Sequence, residues 1–149
     1  MRKKAERKSN NQLRLNYEVY LKTEDELEKW SEKFFYTMLS QHSVISIFSK
    51  KPHKGYLIAR RIGKELEILS LGVDKSNRRL GLAKKMLSKL LNIEKKNKPK
   101  RILLEVSVEN KIAIKFYKSS GFNICNLRKN YYSDRNKRIS AYTMAKDII

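Results

Sequence analysis

Arg78-Arg79-Leu80-Gly81-Leu82-Ala83 is the stretch of this chain best suited to holding an anion. It follows an apolar run at residues 66–73, read as a buried strand, and opens a run from Gly81 to about Ile93, read as a helix. A turn from strand into helix leaves the first helical N–H groups without partners. Those donors, with the positive end of the helix dipole, attract negative charge. Gly81 and Ala83 carry almost no side chain, so a phosphate can approach the backbone closely. The segment is therefore suited to a pyrophosphate-bearing cofactor. It is not a dinucleotide fingerprint, which needs three glycines, nor a P-loop, which needs a Gly-Lys-Ser/Thr triplet.

What remains is Arg-x-x-Gly-x-Ala after a strand, which resembles the acetyl-CoA loop of the GCN5-related N-acetyltransferases, Q/R-x-x-G-x-G/A. Three further stretches accompany it. The first runs from Leu104-Glu105-Val106 through Asn110, Ala113 and Phe116-Tyr117 to Gly121-Phe122. The second is Arg128-Lys129-Asn130-Tyr131-Tyr132, and the third is Ala141-Tyr142-Thr143-Met144-Ala145. Together they resemble the RimI-type N-terminal acetyltransferases, which modify the first alanine of a small-subunit ribosomal protein. Trp30-Ser31-Glu32-Lys33 with Phe35 is similar to that family's early helix. The likeness covers roughly residues 30–145. Arg78 and Leu80 stand where relatives often carry glutamine, and Ala83 replaces the second glycine; the family pattern tolerates Arg and Ala.

The resemblance implies an α/β fold with a mixed, mostly antiparallel central sheet flanked by helices. Two parallel strands would splay, and acetyl-CoA would lodge in the gap. Residues 69–73, Leu71 and Val73 among them, would pair with the pantetheine arm through their backbone. The loop residues Arg78, Arg79, Gly81, Leu82, Ala83 and Lys84 would cradle the pyrophosphate, and Asn110 would hydrogen-bond along the pantetheine or at its thioester end. Tyr131 and Tyr132 would shape the peptide groove. Trp30 and Phe34 border the same region, with core packing the expected role.

The implied chemistry is consistent with the residue types. Forming an amide from an amine and a thioester needs a neutral amine and a proton for the departing thiolate. An α-amine has an ordinary pKa near ~8 against ~10.4 for lysine, so it loses its proton more easily near neutrality. Glu105, on a strand facing the cleft, is the candidate general base. Tyr117, a phenol with an ordinary pKa near ~10, is the candidate general acid. Direct transfer needs no acyl-enzyme, so Cys125 is not required as a nucleophile.

Several elements must position these groups. Residues 1–12 read as a basic, mobile tail, and residues 13–149 as a single N-acetyltransferase domain. Residues 13–20 alternate loosely and read as a first strand. Thr23-Glu24-Asp25-Glu26 reads as a capping box opening a helix, with Leu27, Trp30, Phe34 and Met38 along one face and Ser31 as the cap of a second helix if the first breaks after Trp30. Residues 44–48, 56–61 and 66–73 read as an antiparallel meander with turns at residues 50–55 and 62–64. The helix after Gly81 sets Ala83, Met86, Leu87, Leu90 and Leu91 on one side. Residues 94–101 read as a solvated basic loop, and residues 102–106 as a short apolar strand. Asn110 caps a helix stopped by Gly121. Two final strands, residues 122–128 and 139–145, flank a long polar loop at residues 129–138. The last strand offers an exposed pairing edge, while the family implies a monomer.

Composition sets the outer bounds. The chain has 149 residues, which suits one domain, with 40% hydrophobic content. Lys and Arg total 35 against 15 Asp and Glu, a formal charge of +20. Such a field favours polyanions, including RNA, ribosomes and phosphate-rich cofactors, and repels a basic protein substrate at long range. Biased base composition in the genome would give the same lysine-rich chain. The single cysteine, Cys125, lies in an alternating run and reads as a small buried or half-buried strand residue; it allows no intrachain disulfide. Two scattered histidines, His42 and His53, do not make a structural metal site, so no metal is expected. No apolar run is long enough to span a membrane and none follows the N-terminal charges, which points to the cytoplasm.

The leading reading is acetyl-CoA-dependent acetylation of a protein N-terminus, most closely that of a ribosomal protein. The alternatives are a lysine side chain or small amine as acceptor on the same fold, or a basic ribosome- or RNA-binding module with an inactive acyl-CoA fold.

Overall fold

The alternating runs at the centre of the chain form three antiparallel strands, β1 (Val44–Ser49), β2 (Gly55–Ile62) and β3 (Glu65–Val73). The computed structural model describes residues 2–23, 29–134 and 136–148. Three more strands, β4 (Arg101–Ser107), β5 (Asn123–Asp134) and β6 (Lys137–Asp147), complete a six-stranded sheet of order β1-β2-β3-β4-β6-β5. Among the described strands only β3 and β4 are parallel. They are joined through α3 (Leu82–Glu94), and α4 (Lys111–Ser119) links β4 to β5. Two further helices, α1 (Arg2–Thr23) and α2 (Glu32–Ser40), precede the sheet. The mixed α/β sheet expected from the sequence is present.

The strand period of two divides β2 between the two faces. Leu57 and Ala59 join Leu66, Met86, Leu90, Leu104 and Tyr117 in the larger core beneath α3 and α4. Tyr56 and Ile58 join Tyr20 and Phe35 in a second core beneath α1 and α2. That second core is largely aromatic: the ring of Tyr20 lies 5.1 Å from Phe35, 5.1 Å from Tyr56 and 5.7 Å from Trp30. At Gly55, where β2 begins, an added Cβ would sit 2.9 Å from Leu82 and 3.0 Å from the Gly72 carbonyl. The absence of a side chain there lets the start of α3 lie against the sheet.

Several expectations are corrected. Residues 13–20 are not a strand but the second half of α1, and residues 2–12 are its first half. Tyr17 and Tyr20 fall at helical spacing, and their rings stack at 6.1 Å; burial of Val19 and Tyr20 outweighs the local alternation. The capping box at residues 23–26 involves residues outside those described, as does Leu27. Thr23 ends α1, and the helix that follows is capped by Ser31, whose Oγ accepts from the Phe34 N–H at 3.2 Å. Its buried face is Phe35 and Met38, while Phe34 is exposed and rests edge-on against Trp30.

Residues 129–134 and 137–138 are strand rather than loop. β5 and β6 continue as a long hairpin, with an irregularity between Arg128 and Tyr132 where Asn130 takes a positive φ of 55°. β6 is consequently an interior strand, and β5 is the edge. Cys125 is exposed rather than buried: it bulges from β5 between Ile124 and Asn126, and its Sγ donates to the Thr143 carbonyl at 3.4 Å. The stretch at residues 94–101 is not a solvated loop throughout. Glu94 is buried at the end of α3, where Arg61 donates to it through Nε at 2.7 Å and Nη2 at 2.8 Å. The Asn97 amide adds a third bond at 2.9 Å.

Candidate active site

β3 and β4 pair only at one end. Residues 65–68 match residues 101–104, and the pairing stops at Ile68 and Leu104. Beyond that point β3 stays with β2 and β4 stays with β6. A bulge in β3 marks the parting: Ile58 opposes Ser70 while Ala59 opposes Ile68, so Leu69 is the extra residue. A bulge bends and twists its strand. It also shifts the side-chain alternation, so Leu69 packs toward the aromatic core while Leu71 and Val73 return to the α3 side. The sequence carries a trace of this in the adjacent apolar pair Ile68-Leu69.

The parted strands enclose a cleft of about 650 Å³. It is lined by Leu71 and Val73 of β3, by Arg78, Arg79, Gly81, Leu82, Ala83 and Lys84, by Glu105 of β4, and by Asn110 and Tyr117. Tyr132 and Trp30 also reach it. Tyr131 does not line the cleft; it is exposed, in edge contact with Tyr132 at 4.9 Å and beneath the Arg128 guanidinium at 4.2 Å. Of the candidate catalytic, cofactor-binding and groove residues, all but Tyr131 and Phe34 therefore face one space.

The loop is pinned at its base. Asp74 accepts from the Ser76 N–H at 3.2 Å and the Ser76 hydroxyl at 3.1 Å, which hold its carboxyl below the usual range. Asn77 Oδ1 accepts from the Lys54 N–H at 2.8 Å, and Arg78 Nε donates to the Val73 carbonyl at 3.1 Å. Arg79 and Gly81 then adopt positive φ, 64° and 81°. That path is natural for Gly81 and uncommon for an arginine. α3 begins at Leu82 with no side chain capping it, so the amides at its start remain available to an anion. The small side chains of Gly81 and Ala83 and the bases Arg79 and Lys84 suit the same ligand.

At the other side of the cleft stands Glu105, about one-fifth exposed. Its Oε1 accepts from the Thr143 hydroxyl at 2.9 Å and from Arg128 Nη1 at 3.4 Å. Its Oε2 is buried with no hydrogen-bond partner. Tyr117 is buried between the rings of Phe116 and Phe122, at 5.3 and 5.4 Å. Asn110 caps α4, its Oδ1 accepting from the Ala113 N–H at 3.1 Å. Trp30 is held at the cleft by α1, its backbone N–H donating to the Tyr20 hydroxyl at 2.7 Å.

Sequence reasoning missed Ser107 and the role of Thr143. Ser107 is buried, lines the cleft and accepts from the Glu109 N–H at 3.2 Å. Thr143 lies directly across from Glu105 in the β4–β6 register, which no local pattern reveals.

A family model for the acetyltransferase (GNAT) family matches residues 10–122. The chain belongs to this family. A relative, N-alpha-acetyltransferase 50 of Danio rerio, is 41% identical over 86 residues, 57% of this chain and 51% of the zebrafish protein, so the chain spans about half of that relative. The [Ribosomal protein bS18]-alanine N-acetyltransferase of Escherichia coli (strain K12) is 29% identical over 120 residues, 80% of this chain and 81% of the relative. The crystal structure of the E. coli ribosomal-protein-S18-alanine N-acetyltransferase superposes with a TM-score of 0.79 at 27% identity, covering 91% of this chain and 87% of that one. Arabidopsis thaliana NAA60 in complex with acetyl-CoA shares the fold, with a TM-score of 0.69 at 18% identity over 83% of this chain and 86% of its own. Among the described residues there is no group of side chains that could hold a metal, and no helix long and apolar enough to cross a membrane.

Proposed function

We propose that the chain transfers an acetyl group from acetyl-CoA to the α-amine of a protein N-terminus, with the first alanine of a ribosomal protein as the most closely supported acceptor. The observation that carries this reading is the convergence of Glu105, Asn110, Tyr117 and the uncapped start of α3 on the single cleft where β3 and β4 part. Residues 13–149 act as one catalytic domain in this reading, with the helical segment at residues 2–12 joined to it.

The cleft fits acetyl-CoA in three respects. The amides after Gly81, with Arg79 and Lys84, suit the pyrophosphate. The separated edges of residues 69–73 and 105–107 suit the amide-bearing pantetheine arm. The Asn110 side chain, tied at Oδ1 by its cap, keeps its NH₂ group for the same arm.

The amine enters as an ammonium ion and must lose one proton before attack. Glu105 takes that proton, directly or through a water. The nitrogen lone pair then adds to the thioester carbonyl, and the C–S bond breaks as the amide forms. Tyr117 gives its proton to the departing sulfur, and its phenolate takes back, directly or through water, the second proton that the nitrogen sheds to become a neutral amide; the proton on Glu105 passes to solvent. Positioned proton transfer of this kind contributes roughly 10²–10⁴-fold to rate. The reaction needs no metal and no acyl-enzyme.

Mass spectrometry of two peptides tests the proposal. One begins with a free alanine; the other has a blocked α-amine and a free lysine. Acetylation of the first alone is expected. Acetylation of the lysine alone would overturn the α-amine assignment, and acetyl-CoA binding without turnover of either would overturn the acceptor class.

A further inference from the structure

We infer that Thr143 is a positioning residue that fixes the carboxylate of Glu105 by one oxygen and so assigns proton transfer to the other. The inference rests on the reading of Glu105 as the general base. The two oxygens of this carboxylate are in opposite circumstances. Oε1 is doubly held, by the Thr143 hydroxyl at 2.9 Å and by Arg128 at 3.4 Å. Oε2 is buried and has no partner.

The asymmetry follows from the sheet. Glu105 and Thr143 are directly opposed in the antiparallel β4–β6 pair, so their side chains stand on the same face. A threonine hydroxyl has one proton to give, and here it goes to Oε1. The β-branch at Thr143 restricts χ1, so the hydroxyl has little freedom to turn away. Arg128 is a poorer anchor. Its side chain is about half exposed, its contact with Oε1 is long, and its guanidinium also covers the Tyr131 ring at 4.2 Å.

A buried acceptor oxygen left without a donor is unfavourable. Glu105 lines the cleft, and in this proposal an entering ammonium or a bound water reaches that oxygen at the moment of reaction once the side chains covering it part. The last torsion of a glutamate is otherwise broad, which would let the two oxygens exchange places. Thr143 prevents that exchange. It is not among the residues that line the cleft and acts only through Glu105.

The test compares steady-state kinetics of the full chain, with acetyl-CoA and an alanine-initiated peptide, for Thr143→Val, Thr143→Ser, Glu105→Gln and the Thr143→Val/Glu105→Gln pair. Thr143→Val keeps the shape and removes the hydroxyl. It should lower kcat about tenfold, leaving both KM values and the acetyl-CoA Kd within about twofold. Thr143→Ser should recover most of the loss. In the Glu105→Gln background, Thr143→Val should have no further effect, because the group it serves is gone. If Thr143→Val lowers thermal stability, Thr143→Ser against Thr143→Ala carries the same comparison. An unchanged kcat in Thr143→Val beside an inactive Glu105→Gln overturns the inference and leaves the base assignment standing. A Thr143→Ser as slow as Thr143→Val overturns it also. A fully active Glu105→Gln overturns the base assignment, and the inference with it.

Discussion

Two carboxylates, Glu94 buried and Glu105 about one-fifth exposed, lie near opposite ends of the β3–β4 pair, and they are treated in opposite ways. Glu94 is at the end where the strands are hydrogen-bonded. It accepts two bonds from Arg61 and one from Asn97, and its side chain is 2% exposed. Glu105 is just past the point where the strands part, and one of its oxygens has no partner. A buried ion whose two oxygens both have donors is structural, because no oxygen is left unpaired. A half-satisfied one at a cleft has capacity left for a substrate. The difference shows that burial of a carboxylate does not identify a catalytic group. In the proposed mechanism it is the unfilled hydrogen-bonding position that marks Glu105.

The largest test of that contrast is Glu105→Gln. It should reduce kcat roughly 10²–10⁴-fold while thermal stability stays nearly constant. A stability loss with retained activity would reverse the roles of the two acids. Glu94→Gln should do the opposite. Arg61 would keep its charge beside a neutral amide, and since it is about one-third exposed the cost is about 2 kcal/mol, below that of a fully buried pair. Urea denaturation checks this, with kcat per folded molecule unchanged.

The same pair predicts a pH dependence. Hydrogen bonding from Arg61 holds the Glu94 carboxyl below its ordinary range, against the opposing effect of burial. A carboxyl depressed in the folded state stabilises fully above its unfolded value of about 4.3 and loses that contribution as pH falls through the lower folded value. Melting curves of the parent and Glu94→Gln should therefore differ from pH 5 to 8 and converge as pH drops below about 4. Curves that stay parallel would remove the ion pair from the argument.

Asn110 gives the smallest and finest test. Asn110→Ala should cost about 1 kcal/mol through loss of the α4 cap and also weaken acetyl-CoA binding. Asn110→Asp keeps the capping oxygen but has no NH₂, so it should preserve stability and weaken acetyl-CoA binding several-fold by calorimetry. Equal binding by the parent and Asn110→Asp would confine Asn110 to the cap.

Much of the site was legible from sequence because its signals are local. A strand–loop–helix junction with small residues, an Asn cap and a Gly stop are each set by backbone sterics and orphan N–H groups within a few residues. The strands and helices from residue 44 to residue 128 follow for the same reason. What misled the reading was competition between local pattern and distant contacts. Residues 13–20 alternate like a strand but fold as a helix, because Tyr20 finds Phe35, Tyr56 and Trp30. Residues 129–134 and 137–138 are polar like a loop but pair as a hairpin, because β6 already has a partner in β4 to extend from.

The sequence by itself nominated the groups of the proposed chemistry: an anion-binding turn, a strand glutamate, a helix tyrosine and a capping asparagine. The tertiary structure decided how they meet. The bulge at Leu69 opens the cleft, the β4–β6 register sets Thr143 against Glu105, and Arg61 closes over Glu94 from 33 residues away. Each of these depends on which strands lie side by side and in what register. Hydrogen-bonding capacity of that kind is spent between distant residues, so it is invisible until the chain is folded.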